Sequence, residues 1–279
     1  MNTGILSILG VLRRNRMAMA GSTILMFFVF IAVSAPFIAP YDPWKQDKPF
    51  LSPSIKHPLS TNDIGQDILS ELIYGARVSL FIDLFAAAVS TIVGTLIGSV
   101  AGYFRGKLDE ILMGITDVFL LIPRLPLMII LAAYLGPSVW NIVFVIGVLW
   151  WSSTARVVRS RVLQVRETGF VEACKALGAS DTYILFRHVI PHSSHVIFAK
   201  FILNTARAML AEAGLSFLGL GDPVQKSWGT MLHYAFSRDG FINNMWWYLP
   251  PGICIALSVL GFAPIGYGME RKVAMLRSY

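Results

Sequence analysis

The sequence predicts an all-α integral membrane protein with six transmembrane helices and both termini in the cytoplasm. Three observations support this fold class: a high apolar content, long apolar stretches, and an uneven distribution of cations around those stretches. Of the 279 residues, 55% are hydrophobic and only 14% are charged, whereas soluble domains carry nearer a quarter charged residues. One soluble core cannot hold this much apolar surface, so a lipid bilayer is the expected solvent.

Six apolar stretches are each close to the roughly 20 residues that a helix needs to cross the hydrocarbon core of a bilayer. They cover residues 17–38, 78–103, 111–134, 139–155, 196–217 and 248–267. The third contains the sequence Pro123-Arg124-Leu125-Pro126. Because proline removes a helical hydrogen bond, this sequence predicts an interruption of the third helix.

The distribution of cations predicts the orientation in the membrane. With six spans, both termini lie on one side, and the segments on that side hold 14 of the 23 Lys and Arg residues. The opposite segments hold 6, and the remaining cations lie within spans. The more basic side is normally cytoplasmic, so we expect the termini and the polar segment 172–191 to be cytoplasmic. Cations that flank spans also argue against a nucleic-acid partner.

Small residues recur every four positions in the second span, at Ser90, Gly94, Gly98 and Gly102. This spacing places them near one helix face and allows another backbone to approach closely. We expect a packing seam within one subunit, with a dimer interface as the alternative.

Charged residues inside the spans allow two interpretations. Each arginine at membrane depth costs about 2.5–3.5 kcal/mol on insertion scales, so these residues are not expected to face lipid. Helical spacing places Asn204 and Arg207 on one face of the fifth span, and Asp117 and Arg124 on one face of the third. Such residues either border a polar path or pair with one another to fix helix packing. The candidates for the path are Asp117, Arg124, Asn204, Arg207 and Glu212.

Several kinds of chemistry are not expected in this chain. It contains no G-x-x-x-x-G-K-[ST] motif, so ATP binding through a P-loop is not predicted. Residues 219–222 match the GxGD pattern of intramembrane aspartyl proteases, but Asp222 follows the outer end of a span and has no second aspartate at its depth. His188, His192 and His195 have a ligand-like spacing that a proline interrupts, so no metal site is expected.

The polar loop contains the most specific motif. Glu172 begins the letters E-A-C, a glycine follows at Gly178, and the stretch ends in Ile190-Pro191. This spacing resembles the EAA motif of importer permeases in the ATP-binding-cassette family, which is EAA, three residues, Gly, nine residues and I-x-L-P. Cys174 replaces an alanine, and a histidine and an isoleucine replace the last Ile and Leu of the pattern.

Further segments resemble the peptide and nickel branch of these permeases, and most closely the second, C-type permease of dipeptide and oligopeptide systems. They are Tyr41-Asp42-Pro43, Thr61 to Asp67, Gly75 to Leu80, Leu215 to Gly221, and Trp228-Gly229. The resemblance covers nearly the whole chain. It implies an N-terminal span and external loop at 1–70, and a five-helix permease core at 71–279 with the EAA loop at 167–195.

The resemblance also implies a short cytoplasmic coupling helix between spans four and five that docks on an ATPase subunit. The implied docking residues are Glu172, Ala173, Cys174, Gly178, Ala179, Asp181 and Pro191. This chain itself would be non-catalytic and hold no cofactor, because ATP and Mg²⁺ would bind to the partner ATPases.

The implied partners are a second homologous permease, two ATPase subunits and an extracytoplasmic substrate-binding protein, at the inner membrane of a prokaryote. Di- and oligopeptides are the expected solutes, and nickel or a nickel chelate is the alternative. A passive channel and an intramembrane enzyme remain as alternatives from other classes. For the loop, the alternative is a solvated amphipathic helix at the membrane surface. Trp246, Trp247 and Tyr248 are predicted to form an interfacial aromatic belt.

Overall fold

The computed structural model describes residues 16–238 and 244–275, with side chains to residue 269. These residues form helices and loops, and their only β pairing consists of isolated bridges in the loop after the first helix. The helices are α1 (Arg16–Ile38), α2 (Ile68–Phe104), α3 (Gly106–Leu121), α4 (Arg124–Leu135), α5 (Val139–Arg166), α6 (Gly169–Ala176), α7 (Asp181–Ile184), α8 (Ile190–His192), α9 (Ser194–Leu215), α10 (Trp228–Ser237) and α11 (Met245–Met275). Two π-helical turns, Leu185–Val189 and Ser216–Leu220, join α7 to α8 and extend α9.

The helices α2 and α5 form the most extensive helix pair within the described residues, and the glycines of α2 explain their close approach. A Cβ atom at Gly98 would lie 2.3 Å from the carbonyl oxygen of Ala155 on α5, and one at Gly94 would lie 2.6 Å from Thr154 Cβ. Neither position has room for a side chain. The small-residue ladder is therefore a seam within this subunit, which confirms the prediction.

The third apolar stretch is broken, as the two prolines predict. Helices α3 and α4 meet at a bend of 88° around Ile122 and Pro123. The break corrects one sequence expectation: Asp117 lies on α3 and Arg124 on α4, so the two residues do not share a helix face. Asp117 pairs instead with Arg156 of α5, at 2.5 Å between Oδ1 and Nη2.

Four of the described helices, α1, α2, α5 and α11, are long and apolar enough to cross a membrane, and the bent pair α3–α4 makes up to five. Helix α9 does not meet the same test. It carries Lys200, Arg207 and Glu212 within 22 residues, and these charges lower its mean hydropathy. A helix of this composition needs protein, not lipid, around most of its surface.

The N-terminal end of α2 is closed by the segments before α2 and before α10. Asp67 caps α2 by accepting hydrogen bonds from the backbone N–H and hydroxyl of Ser70. Trp228 is fully buried, packs edge-on against Phe28, and donates its indole N–H to a backbone carbonyl of α2. Trp247 is also buried, with 1% of its surface exposed, so the predicted aromatic belt is wrong for this residue.

Candidate docking loop and intramembrane polar residues

A short helix, α6 (Gly169–Ala176), lies at the centre of the segment that carries the EAA-like motif. It ends in a Schellman motif, in which the N–H of Gly178 donates to the carbonyl of Lys175 and the N–H of Ala179 donates to that of Cys174. Gly178 has φ of +80° and open space around it. Glycine is therefore favoured here by backbone conformation and not by crowding.

The loop is held against the ends of α2 and α5. The hydroxyl of Tyr103 donates to Asp181 Oδ1 at 2.7 Å, and Lys175 lies 3.9 Å from the same carboxylate. The cations of Lys175 and Arg166 both lie over the Tyr103 ring. Below these contacts lies an apolar cluster of Tyr103, Val158, Val162, Val165, Val171, Ile184, Leu185 and Val189. The loop is thus packed against the helix core, unlike a solvated amphipathic helix at the membrane surface.

The predicted docking residues fall into two groups in this loop. Glu172, Ala173, Gly178, Asp181 and Pro191 are exposed, so the outer surface of the loop is open to a partner. Cys174 and Ala179 are half-buried and pack against the apolar cluster. These two small residues hold the loop on the core, and the exposed ones present its surface.

Leu177 was missed by the sequence analysis. Its side chain is 87% exposed between the short helix and Gly178, and Tyr183 and Phe186 are also exposed on the same loop. Exposed apolar side chains clustered on a folded surface are typical of protein interfaces. The signal in the sequence was an isolated leucine directly before the motif glycine.

Asn204 lies in the interior of the helices, with 0% of its surface exposed. Its amide nitrogen is within 3.0–3.2 Å of the hydroxyls of Ser90, Thr91 and Thr154. Arg207, three positions further along α9, is exposed. Three residues correspond to about 60° around a helix, so the two lie on one side of α9, as the spacing predicts. The boundary between the interior and the surface nevertheless passes between them, and only Arg207 is open to other molecules.

Glu212 is also fully buried. Its Oε1 atom accepts hydrogen bonds from the hydroxyls of Ser216 and Ser227, both at 2.8 Å. Asp83 of α2 is equally buried, has no hydrogen-bond partner among the described residues, and interacts electrostatically with Glu212. The structure therefore brings together two carboxyl groups that the sequence analysis did not connect.

Arg124 and Arg207 lie on a different surface. Arg124 is half-buried at the start of α4, and Arg207 is exposed on α9. Helices α4 and α9 pack together through Met128, Ala132, Ala208 and other residues, and the two arginines are close enough for their charges to repel each other. Two of the five path candidates thus share one open surface, while Asp117 is exposed beside Arg156, and Asn204 and Glu212 are buried.

Comparisons with known proteins agree with this architecture. A family described as binding-protein-dependent transport system inner membrane component matches residues 94–274. A second, described as the N-terminal TM domain of oligopeptide transport permease C, matches residues 7–54.

Similar proteins cover nearly the same length. The dipeptide transport system permease protein DppC of Bacillus subtilis (strain 168) is 35% identical over 266 residues, which are 93% of this chain and 82% of that protein. The di/tripeptide transport system permease protein DppC of Pseudomonas aeruginosa (strain UCBPP-PA14) is 36% identical, over 92% of this chain and 87% of its own length.

A chain of the MetNI methionine ABC transporter, in inward-facing conformations, has a TM-score of 0.58 and 17% identity, and the match covers 74% of this chain and 95% of that one. This likeness concerns the fold alone. The family match over residues 94–274 and the nearly full-length relatives carry the assignment. The chain belongs to the family of binding-protein-dependent transport system inner membrane components.

Proposed function

We propose that this chain is one of two permease subunits of an ATP-driven importer of di- and oligopeptides. Nearly full-length similarity to proteins named as dipeptide and di/tripeptide permeases supports the peptide as solute over nickel. In this proposal the chain crosses the cytoplasmic membrane six times, with α9 as the fifth span and both termini inside. An extracytoplasmic binding protein delivers the peptide, and a second permease completes the pore.

The observation that carries the proposal is a loop that is rigid on one side and open on the other. Tyr103 and the apolar cluster beneath it fix the loop to α2 and α5, while Glu172 and Leu177 face outward. A surface built in this way transmits a push or pull from a bound partner directly to two long helices. The partner is an ATPase subunit, which binds ATP and Mg²⁺, and this chain performs no chemical step.

The proposed docking makes specific demands on two side chains. The Glu172 carboxylate accepts hydrogen bonds from the ATPase, and charge-assisted bonds of this kind contribute about 1.5–3 kcal/mol. Leu177 enters an apolar cleft on the same partner, because burying an exposed leucine side chain contributes about 1.5–3 kcal/mol. Closure of the two ATPases on ATP then rocks the helices between inward-open and outward-open states.

Reversing the charge of Glu172 tests the docking surface. We expect Glu172→Lys to abolish peptide-stimulated ATP hydrolysis and uptake in proteoliposomes that contain the complete transporter. The matched control is Glu110→Lys, since Glu110 is also an exposed glutamate at the same end of the helices. In a variant that elutes as a folded protein in size-exclusion chromatography, co-purification of the ATPases reports docking. Unchanged ATPase activity in Glu172→Lys would falsify the docking assignment.

Substitutions of Gly178 test whether the loop must keep its shape. Asparagine tolerates a positive φ better than other side chains, whereas a β-branched residue does not. We therefore expect Gly178→Asn to retain most of the coupled ATP hydrolysis and Gly178→Val to lose it. Equal activity in the two variants would show that the Schellman turn is not required for coupling.

A further inference from the structure

Arg124 and Arg207 form a pair of cations for which the described side chains offer no counter-charge. Neither guanidinium has a hydrogen-bond or ion-pair partner anywhere in residues 16–238 or 244–269. The neighbouring arginine Arg156 is different, because Asp117 neutralises it at 2.5 Å. Two repelling cations at one surface favour the approach of an anion.

In the proposed six-span arrangement, the pair lies deep within the membrane. Arg207 is 13 residues from the first residue of α9, which corresponds to about 20 Å along the helix. Arg124 begins α4 directly after the break at Pro123, where an interrupted helix is tolerated only against protein or a water-filled cavity. Lipid contact at this depth would cost about 2.5–3.5 kcal/mol per arginine, so this surface borders an aqueous or protein-lined space.

We propose that Arg124 and Arg207 bind the C-terminal carboxylate of the peptide as it crosses the membrane. This inference rests on the proposed function and names the part of the substrate that the pair recognises. A C-terminal carboxylate is the one anionic group that every unmodified peptide carries, whatever its side chains. Guanidinium groups bind carboxylates through two parallel hydrogen bonds, and two of them together offer enough donors for both oxygens.

The same pair explains why the pore suits a peptide better than a metal ion. A divalent cation next to two unpaired guanidinium groups would be repelled by both. A zwitterionic peptide instead places its carboxylate at the arginines and its ammonium group away from them. The pair thus orients the peptide without reading its sequence, which is the recognition that a transporter of varied peptides requires.

The test compares di-alanine with its C-terminal amide. Uptake into proteoliposomes is measured with the complete transporter at saturating concentrations of binding protein, after the affinity of the binding protein for each peptide has been measured separately. For the wild type we expect the free acid to be taken up about tenfold faster per loaded binding protein than the amide. Arg207→Gln and Arg124→Gln are expected to slow the acid and leave the amide unchanged, which removes the difference.

Two further variants define the controls. Arg207→Lys keeps a positive charge and should retain part of the preference, and it serves as the test if the glutamine variant does not fold. Arg77→Gln removes an exposed arginine at the outer end of α2 and should leave the ratio of acid to amide uptake unchanged.

Three results would overturn the inference. The first is an equal rate of uptake for the acid and the amide in the wild type, and the second is an equal loss of uptake for both peptides in the arginine variants. The third is that the arginine variants lose the second permease from the purified complex, which would mean that a carboxylate of that permease pairs with the arginines. A wild-type transporter that carries neither peptide, but carries another solute, would overturn the proposed function itself.

Discussion

Two pairs of ionisable residues lie on neighbouring helices of this chain, and the structure places them in opposite environments. Asp83 and Glu212 are both 0% exposed, enclosed between α2, α9 and the turn before α10. Arg124 and Arg207 lie on the open surface of α4 and α9. Each pair consists of two groups of the same ionisable type on neighbouring helices, so the difference lies in access to solvent and to other molecules.

This difference separates polar residues that fix helix packing from those that remain open to other molecules. Burying a carboxyl group without a cation nearby strongly favours its neutral form, which suits a structural role. A permanently charged guanidinium cannot be neutralised by losing a proton, so it requires water or an anionic partner. Acids in the interior and arginines on an open surface are therefore the expected arrangement.

The strongest test of this comparison replaces a glycine of the interior seam. Gly98→Leu would place a side chain where a Cβ atom already lies 2.3 Å from the Ala155 carbonyl oxygen. Because α2 and α5 would have to separate, we expect no folded protein in a detergent-solubilised, size-exclusion assay. Gly114→Leu is the matched control, since Gly114 on α3 has open space around it, and this variant should elute as the wild type does. Normal elution of both variants would mean that the interior is loosely packed.

The sequence predicts features that follow from local residue chemistry, but not those that depend on how the helices pack together. The glycine ladder and the break at Pro123 follow directly from side-chain volume and the missing proline N–H, so both were predictable. Asn204 and Arg207 were not separable, because spacing alone does not say where a helix surface meets its neighbours. Leu177 was missed because its exposure depends on how the whole loop sits on α2 and α5.

A smaller effect is expected for the hydrogen bonds of the interior. Asn204→Ala removes the amide that donates hydrogen bonds to hydroxyls on α2 and α5. We therefore expect the free energy of unfolding to fall by about 1–3 kcal/mol. Arg207→Gln, on the same helix, should leave thermal stability within about 0.5 kcal/mol of the wild type. Thermal unfolding of the two variants in detergent measures this difference in stability. The reverse order of stabilities would contradict the assignment of Asn204 to interior packing.

The smallest effect is expected for Asp83→Asn. An amide has nearly the same shape as a protonated carboxyl group, so if Asp83 is neutral in its buried site, the substitution should change thermal stability and peptide uptake very little. The adjacent Glu212 already receives two hydroxyl hydrogen bonds and does not depend on a proton from Asp83. A large loss of uptake in Asp83→Asn with unchanged stability would contradict this argument. It would show that the carboxyl group exchanges a proton during transport, and that the buried acids belong to the mechanism as much as the exposed arginines do.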